Sequence, residues 1–159
     1  MKIGMFTANY MDRDLESVFK LMAEHGYEMA ELPAFYGNEH CDIEEVIQDG
    51  GKKIKDLALK YDITISALSN HPEGQLILGP HTKDTDSLFE GTPEEKIKFG
   101  MERMKRTAEA ANALEVPVVC GFIGCERYSR WFPWPYPQGW DEMEQDFVDR
   151  WGEGLDVFE

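Results

Sequence analysis

The sequence is short of cysteine, short of positive charge and without a long apolar run. Its three cysteines, Cys41, Cys120 and Cys125, are too few and odd in number for a disulfide scaffold. Free thiols in a reducing compartment, the cytoplasm, are expected instead. Sixteen Lys and Arg stand against thirty-one Asp and Glu, a formal net charge of −15. A field of that sign repels phosphate backbones and anionic lipid, so neither nucleic acid nor a membrane is expected as a partner. No apolar stretch approaches the roughly 20 residues of a spanning helix. The opening MKIGMFTANYMD reaches Asp12 too early for a secretory signal and reads as a first strand. There is no low-complexity segment and no linker. What the chain does have is core material, 42% hydrophobic and 12% aromatic residues over 159 positions, enough for one folded domain over residues 1–159.

Strand-like and helix-like stretches alternate. Lys2–Phe6 reads as a strand. Asp14 is placed to cap a helix whose Leu15, Val18, Phe19 and Met22 share one face, with Gly26 just past its end. Tyr27–Leu32 is a second strand, closed by Pro33, and a short helix is expected over Ile43–Gln48. Lys53–Tyr61 is helical, with Ile54, Leu57, Ala58 and Tyr61 on one side, and Ile63–Ser69 is the clearest strand. A loop over residues 70–91 leads to Thr92-Pro93-Glu94-Glu95, a capping box with proline where no amide is needed. That helix runs to about Leu114, Val116–Cys120 is a fourth strand, residues 121–139 form a loop, and Asp141–Phe158 is a last helix.

Four βα units imply a parallel sheet with right-handed crossovers and outer helices. The loops after strands 2, 3 and 4 are long and polar or aromatic, while the αβ links are short. In a (β/α) barrel the long loops gather at the carboxyl ends of the strands, where chemistry sits.

Five stretches in this order resemble the xylose isomerase-like TIM barrels, a family of sugar isomerases and epimerases. They are KIGMFTANY, Gly26-Tyr27 leading to AELPAFYG, ISALSNHPEGQL, VPVVCGFIG before a Trp/Pro-rich loop, and DEMEQDFVDRWGEGLDVFE. The resemblance spans the whole chain but implies only the amino-terminal half of a barrel of eight units, so the domain reads as truncated after its fourth helix. The family binds a divalent metal (Mn, Mg, Co or Zn) through Glu, Asp, His and Glu of its second half. No metal ligand carries over, and none is expected to be held by this chain alone. His71 falls where the family commonly places a substrate-contacting histidine, and the loop after strand 4 falls where it walls the sugar pocket.

Read residue by residue, the same end of the strands collects the candidates. In Asn70-His71-Pro72-Glu73 the imidazole of His71 is expected to orient a sugar or shuttle a proton near neutral pH, with Asn70 and Glu73 beside it. Glu126 and the aromatic run Tyr128–Trp140, led by Trp131 and Trp134, are expected to contact the sugar. Asn9, Tyr10, Glu31, Phe35 and Tyr36 lie at the ends of strands 1 and 2 and are expected to line the same mouth. His81 reads as a solvated loop residue and His25 as a helix-end cation. His40-Cys41-Asp42 is a poor metal motif because adjacent side chains diverge, and Cys120 and Cys125 lack the second pair a zinc site needs.

Two functions from different classes follow. One is metal-assisted proton transfer on a ketose, this chain supplying the sugar-orienting half of the pocket and being inactive alone. The other is a non-catalytic half-barrel that assembles with a second copy or with a complementary half through its open outer strands. An endonuclease IV-like DNA repair enzyme, which shares the barrel, ranks last because of the charge of −15.

Overall fold

The computed structural model describes residues 1–125 and 138–158. In chain order its elements are β1 (Gly4–Phe6), a 3-10 turn (Thr7–Tyr10), α1 (Leu15–Glu24), β2 (Met29–Pro33), α2 (Ile43–Asp49) and α3 (Lys52–Lys60). There follow β3 (Thr64–Ser69), α4 (His71–Leu78), a 3-10 turn (Lys83–Thr85), α5 (Pro93–Leu114), β4 (Val119–Cys120) and α6 (Gly139–Leu155). These residues group into two compact units. The first is Met1–Asn70 with Arg106–Cys120, and the second is His71–Lys105 with the described part of Gly121–Glu159.

The first unit holds the sheet. Its four strands are parallel and lie in the order β1-β2-β3-β4. Sequential order is that of a singly wound (β/α) barrel, here four units of it, and not of a doubly wound sheet whose order reverses. The α/β class expected from the alternation therefore holds. Ala30, Leu32 and Leu68 face the helices and are fully buried with Val18, Phe19 and Met22 of α1, Ile43 and Val46 of α2, and Ala110, Ala111 and Leu114 of α5. At the fully buried positions alone, each Leu or Phe contributes about 1.5–3 kcal/mol.

Local chemistry explains where the helices begin. Asp14 accepts from the Ser17 amide at 2.8 Å and from its hydroxyl at 2.9 Å. These bonds to Ser17 hold its carboxyl below the usual range. Asp42 caps α2, accepting from the amides of Glu44 and Glu45. Between α2 and α3 the chain turns on Gly50 and Gly51, both left-handed at φ 67° and 71°. A Cβ on Gly51 would also come within 2.7 Å of Leu114 Cδ2, so only glycine suits that position.

Two expectations need correcting. The fourth strand is Val119–Cys120, not Val116–Cys120. Pro117 has no amide for a ladder, and β3 offers partners only at Leu68 and Ser69. The loop drawn over 70–91 contains α4 and a 3-10 turn. Pro72 lies in the first turn of α4, where its missing amide costs nothing, and Leu76 and Ile77 are fully buried.

In the second unit α4 packs against α6, where Arg150 Nη1 donates to Ile77 O at 3.1 Å. The capping box forms as expected: Thr92 N donates to Glu95 Oε2 at 2.8 Å and Glu95 N to Thr92 Oγ1 at 3.3 Å. Lys96, one turn into α5, is buried. Its ammonium donates to Thr82 O (2.9 Å), Thr85 Oγ1 (3.0 Å) and an Asp86 oxygen (2.6 Å), pinning the segment before the helix. Among the described residues no helix is long and apolar enough to cross a membrane, and all three cysteines are free.

Candidate functional site

The carboxyl ends of the strands carry the unusual chemistry, and each unit is described in turn. In the first unit, the sheet face turned away from the helices shows Phe6, Glu31 and Ala67 side by side in register, then Pro33, Ser69 and Cys120. Burial, and then the negative charge of Glu31, push the Cys120 thiol above its ordinary value. Glu31 is half-buried, and its carboxylate makes no hydrogen bond or ion pair among the described residues.

Behind β1 and β2 the loops are tied together. His40 is buried, with Nε2 2.8 Å from Arg13 O and Nδ1 3.0 Å from Thr7 Oγ1. A carbonyl only accepts, so Nε2 donates to Arg13 O, while Nδ1 shares a hydrogen bond with the Thr7 hydroxyl, which can donate or accept. Asn38 Oδ1 accepts from the amides of His40 and Cys41 at 3.1 and 2.9 Å. The Cys41 thiol is pushed up to about 12, chiefly by burial and then by Asp42. His40, Cys41 and Asp42 are thus committed to loop structure and to the α2 cap.

The structure also refines the mouth. Tyr10 packs against the helix-side core, and the Arg13 guanidinium lies 5.6 Å from its ring centroid. It was expected to contact ligand, and it is instead partly spent on the core. Phe35 is half-buried just beyond β2. Asn70 was expected to touch substrate, but it is fully buried. Its Nδ2 donates to Thr107 Oγ1 at 2.9 Å and its amide to Cys120 O at 2.8 Å. That makes it a clamp between the end of β3, α5 and β4.

In the second unit His71 is the first residue of α4. Its half-exposed ring meets the edge of Phe122, centroids 4.6 Å apart at 74°. Neither ring nitrogen has a hydrogen-bond partner among the described residues. Glu73, expected beside His71 as a ligand contact or orienting group, is 3% exposed. It receives Arg103 Nε at 3.0 Å. A buried carboxylate with a guanidinium partner holds the first turn of α4 in place and is not a free acceptor. His81 is not solvated as expected: Nε2 donates to Leu76 O at 2.7 Å near the end of α4. His25 binds Leu21 O at the end of α1, as a helix-end residue should. Glu126, Trp131 and Trp134 lie outside the described residues.

Sequence reasoning missed Arg103 and Thr107. Both lie on α5 with Gly100, at spacings of three and four, so a polar and small stripe beside the apolar one was the available signal. A separate cleft of about 460 Å³ on the first unit is lined by Asp14, Glu16, Asp42, Glu45, Asp49 and Lys53 among others. Its aspartates cap helices and Glu45 pairs with Lys53 at 2.8 Å.

No protein-family model matches the sequence, and no curated protein matches it. The fold is similar to that of a solved structure, the apo form of the 3-keto-D-glucoside 4-epimerase YcjR from E. coli. It aligns over 99% of this chain with a TM-score of 0.66 at 14% identity. The chain is similar in fold to a sugar epimerase. It spans about half of that protein, 51% of its length.

Proposed function

We propose that this chain is the sugar-orienting half of an isomerase or epimerase of the xylose isomerase-like barrel type. The observation that carries the reading is His71, a half-exposed imidazole directly after the carboxyl end of β3 with no hydrogen-bond partner among the described residues. Such a group donates to a sugar hydroxyl or moves a proton near neutral pH. The Phe122 edge and the Glu73–Arg103 pair hold its turn. The fold neighbour, a 3-keto-D-glucoside 4-epimerase, supports a carbohydrate as the ligand class. In this reading Glu126, Trp131 and Trp134 complete the pocket wall and the protein works in the cytoplasm.

The family's divalent metal (Mn, Mg, Co or Zn) belongs to the same proposal for a full barrel. Among the described residues no three of His, Cys, Asp or Glu are placed to hold an ion, so the donors present do not fit it. The part played by this chain is binding and orientation. The test is ligand-observed NMR with D-fructose and D-glucose. Saturation transfer to at least one sugar is expected, and His71→Ala should weaken it about three- to tenfold, the worth of one neutral hydrogen bond. No transfer to wild type, or an unchanged affinity in the variant, refutes the proposal.

A second reading is assembly with another copy or a complementary half. β1 and β4 are the outer strands of the sheet, and beside them Ile3 and Val118 are 57% and 46% exposed. Unpaired edges flanked by apolar side chains favour association. Analytical ultracentrifugation should show a species above 18.3 kDa; a monomer at all concentrations removes this reading.

A further inference from the structure

We infer that Glu31 is a ligand-contacting carboxylate, accepting hydroxyl hydrogen bonds from a polyhydroxylated molecule on the face of the sheet opposite the helices. The inference rests on the sugar-binding reading above.

A strand inside a parallel sheet is normally a near-continuous apolar run. β2 obeys this with Ala30 and Leu32, both fully buried, and breaks it between them with Glu31. Alternation puts the carboxylate on the face opposite the helices. Its lateral neighbours there are Phe6 of β1 and Ala67 of β3, neither of which can donate a hydrogen bond from its side chain. Half-burying a charge without a partner is costly, and no lysine or arginine among the described residues answers it.

The backbone adds a second observation. Register slips at this residue: Ala30 pairs with Ile65 and Glu31 with Ala67, so Ser66 is an extra residue on β3. The Ser66 hydroxyl donates to Ala30 O at 3.0 Å. Bulges of this kind re-aim side chains and recur beside functional sites. Here the bulge, on β3, brings Ala67 opposite Glu31, whose carboxylate has no partner among the described residues. Beside it Phe6 offers a ring edge or face for the C–H surface of a sugar. Cys120, on the same face, lies close enough for its thiol to register the charge of Glu31. A carboxylate with up to four lone-pair sites can accept from both hydroxyls of a vicinal diol and repels a phosphate.

Cys120 is the reporter for the test. Alkylation by iodoacetamide is followed at each cysteine by mass spectrometry, with and without D-fructose or D-glucose, in the wild type and in Glu31→Gln. The sugar that shows saturation transfer should slow alkylation of Cys120 in the wild type. The concentration needed should rise about ten- to a hundredfold in Glu31→Gln, the loss of a hydrogen bond to a charged acceptor. Circular dichroism confirms folding; if Glu31→Gln does not fold, Glu31→Asp replaces it and is expected to need an intermediate concentration. A sugar that binds without protecting Cys120, or protects both proteins equally, overturns the assignment of Glu31 and leaves the sugar reading standing. No transfer and no protection in the wild type removes both.

Discussion

Lys96→Met removes an ammonium and keeps the length of its aliphatic stem, at a site where the side chain is 1% exposed. Three acceptors lose their donor: Thr82 O, Thr85 Oγ1 and Asp86 Oδ1. The Thr85 hydroxyl still donates to Pro80 O and Thr82 O, so it is not orphaned. Asp86 is 36% exposed and can be rehydrated. Removing one partner of a fully buried pair costs about 3–5 kcal/mol, and partial rehydration puts this case at the lower end, about 3 kcal/mol. For a chain of this size that is a fall in Tm of about 6–12 °C. Urea titrations followed by far-UV circular dichroism measure it. A double variant that also carries Asp86→Asn should recover part of the loss, since the uncompensated charge goes with it. A cost below about 1 kcal/mol for Lys96→Met would show that the ammonium does not hold the segment before α5.

Two further perturbations probe other parts of the structure. The Cys41 thiol, raised to about 12 by burial, ionises in the unfolded chain near 9. Stability from keeping it protonated is therefore complete below pH 9 and lost as pH rises toward 12, and Cys41→Val should flatten that stretch of the stability–pH curve. Gly100→Ala would bring a Cβ within 2.6 Å of Glu73 O. Overpacking there should cost about 1–3 kcal/mol in urea titrations and disturb the turn that carries His71; a neutral result would mean α4 and α5 separate easily.

The parts of the fold with local causes were readable. Asp14 and Thr92 announce their helices by chemistry confined to three residues, and the alternation of apolar periods gave the parallel sheet. α4 was hidden because Pro72 and Gly74 mimic a turn, although proline in a first turn breaks nothing. The site was harder to read because its partners are distant in sequence. Glu73 meets Arg103 thirty positions away and Asn70 meets Thr107 thirty-seven away. Polar residues written into a loop-like stretch look available until the helix that pairs with them is in place. Lys96 shows the same limit from the other side: in EEKIKFG it is indistinguishable from a surface lysine.

The chain passes from one compact unit to the other after Asn70, after Lys105 and after Cys120. Neither unit is therefore a contiguous stretch of coding sequence. A single recombination crossover can move neither one intact to another protein. Exchanging either unit as a whole takes three crossovers, one at each of these passages.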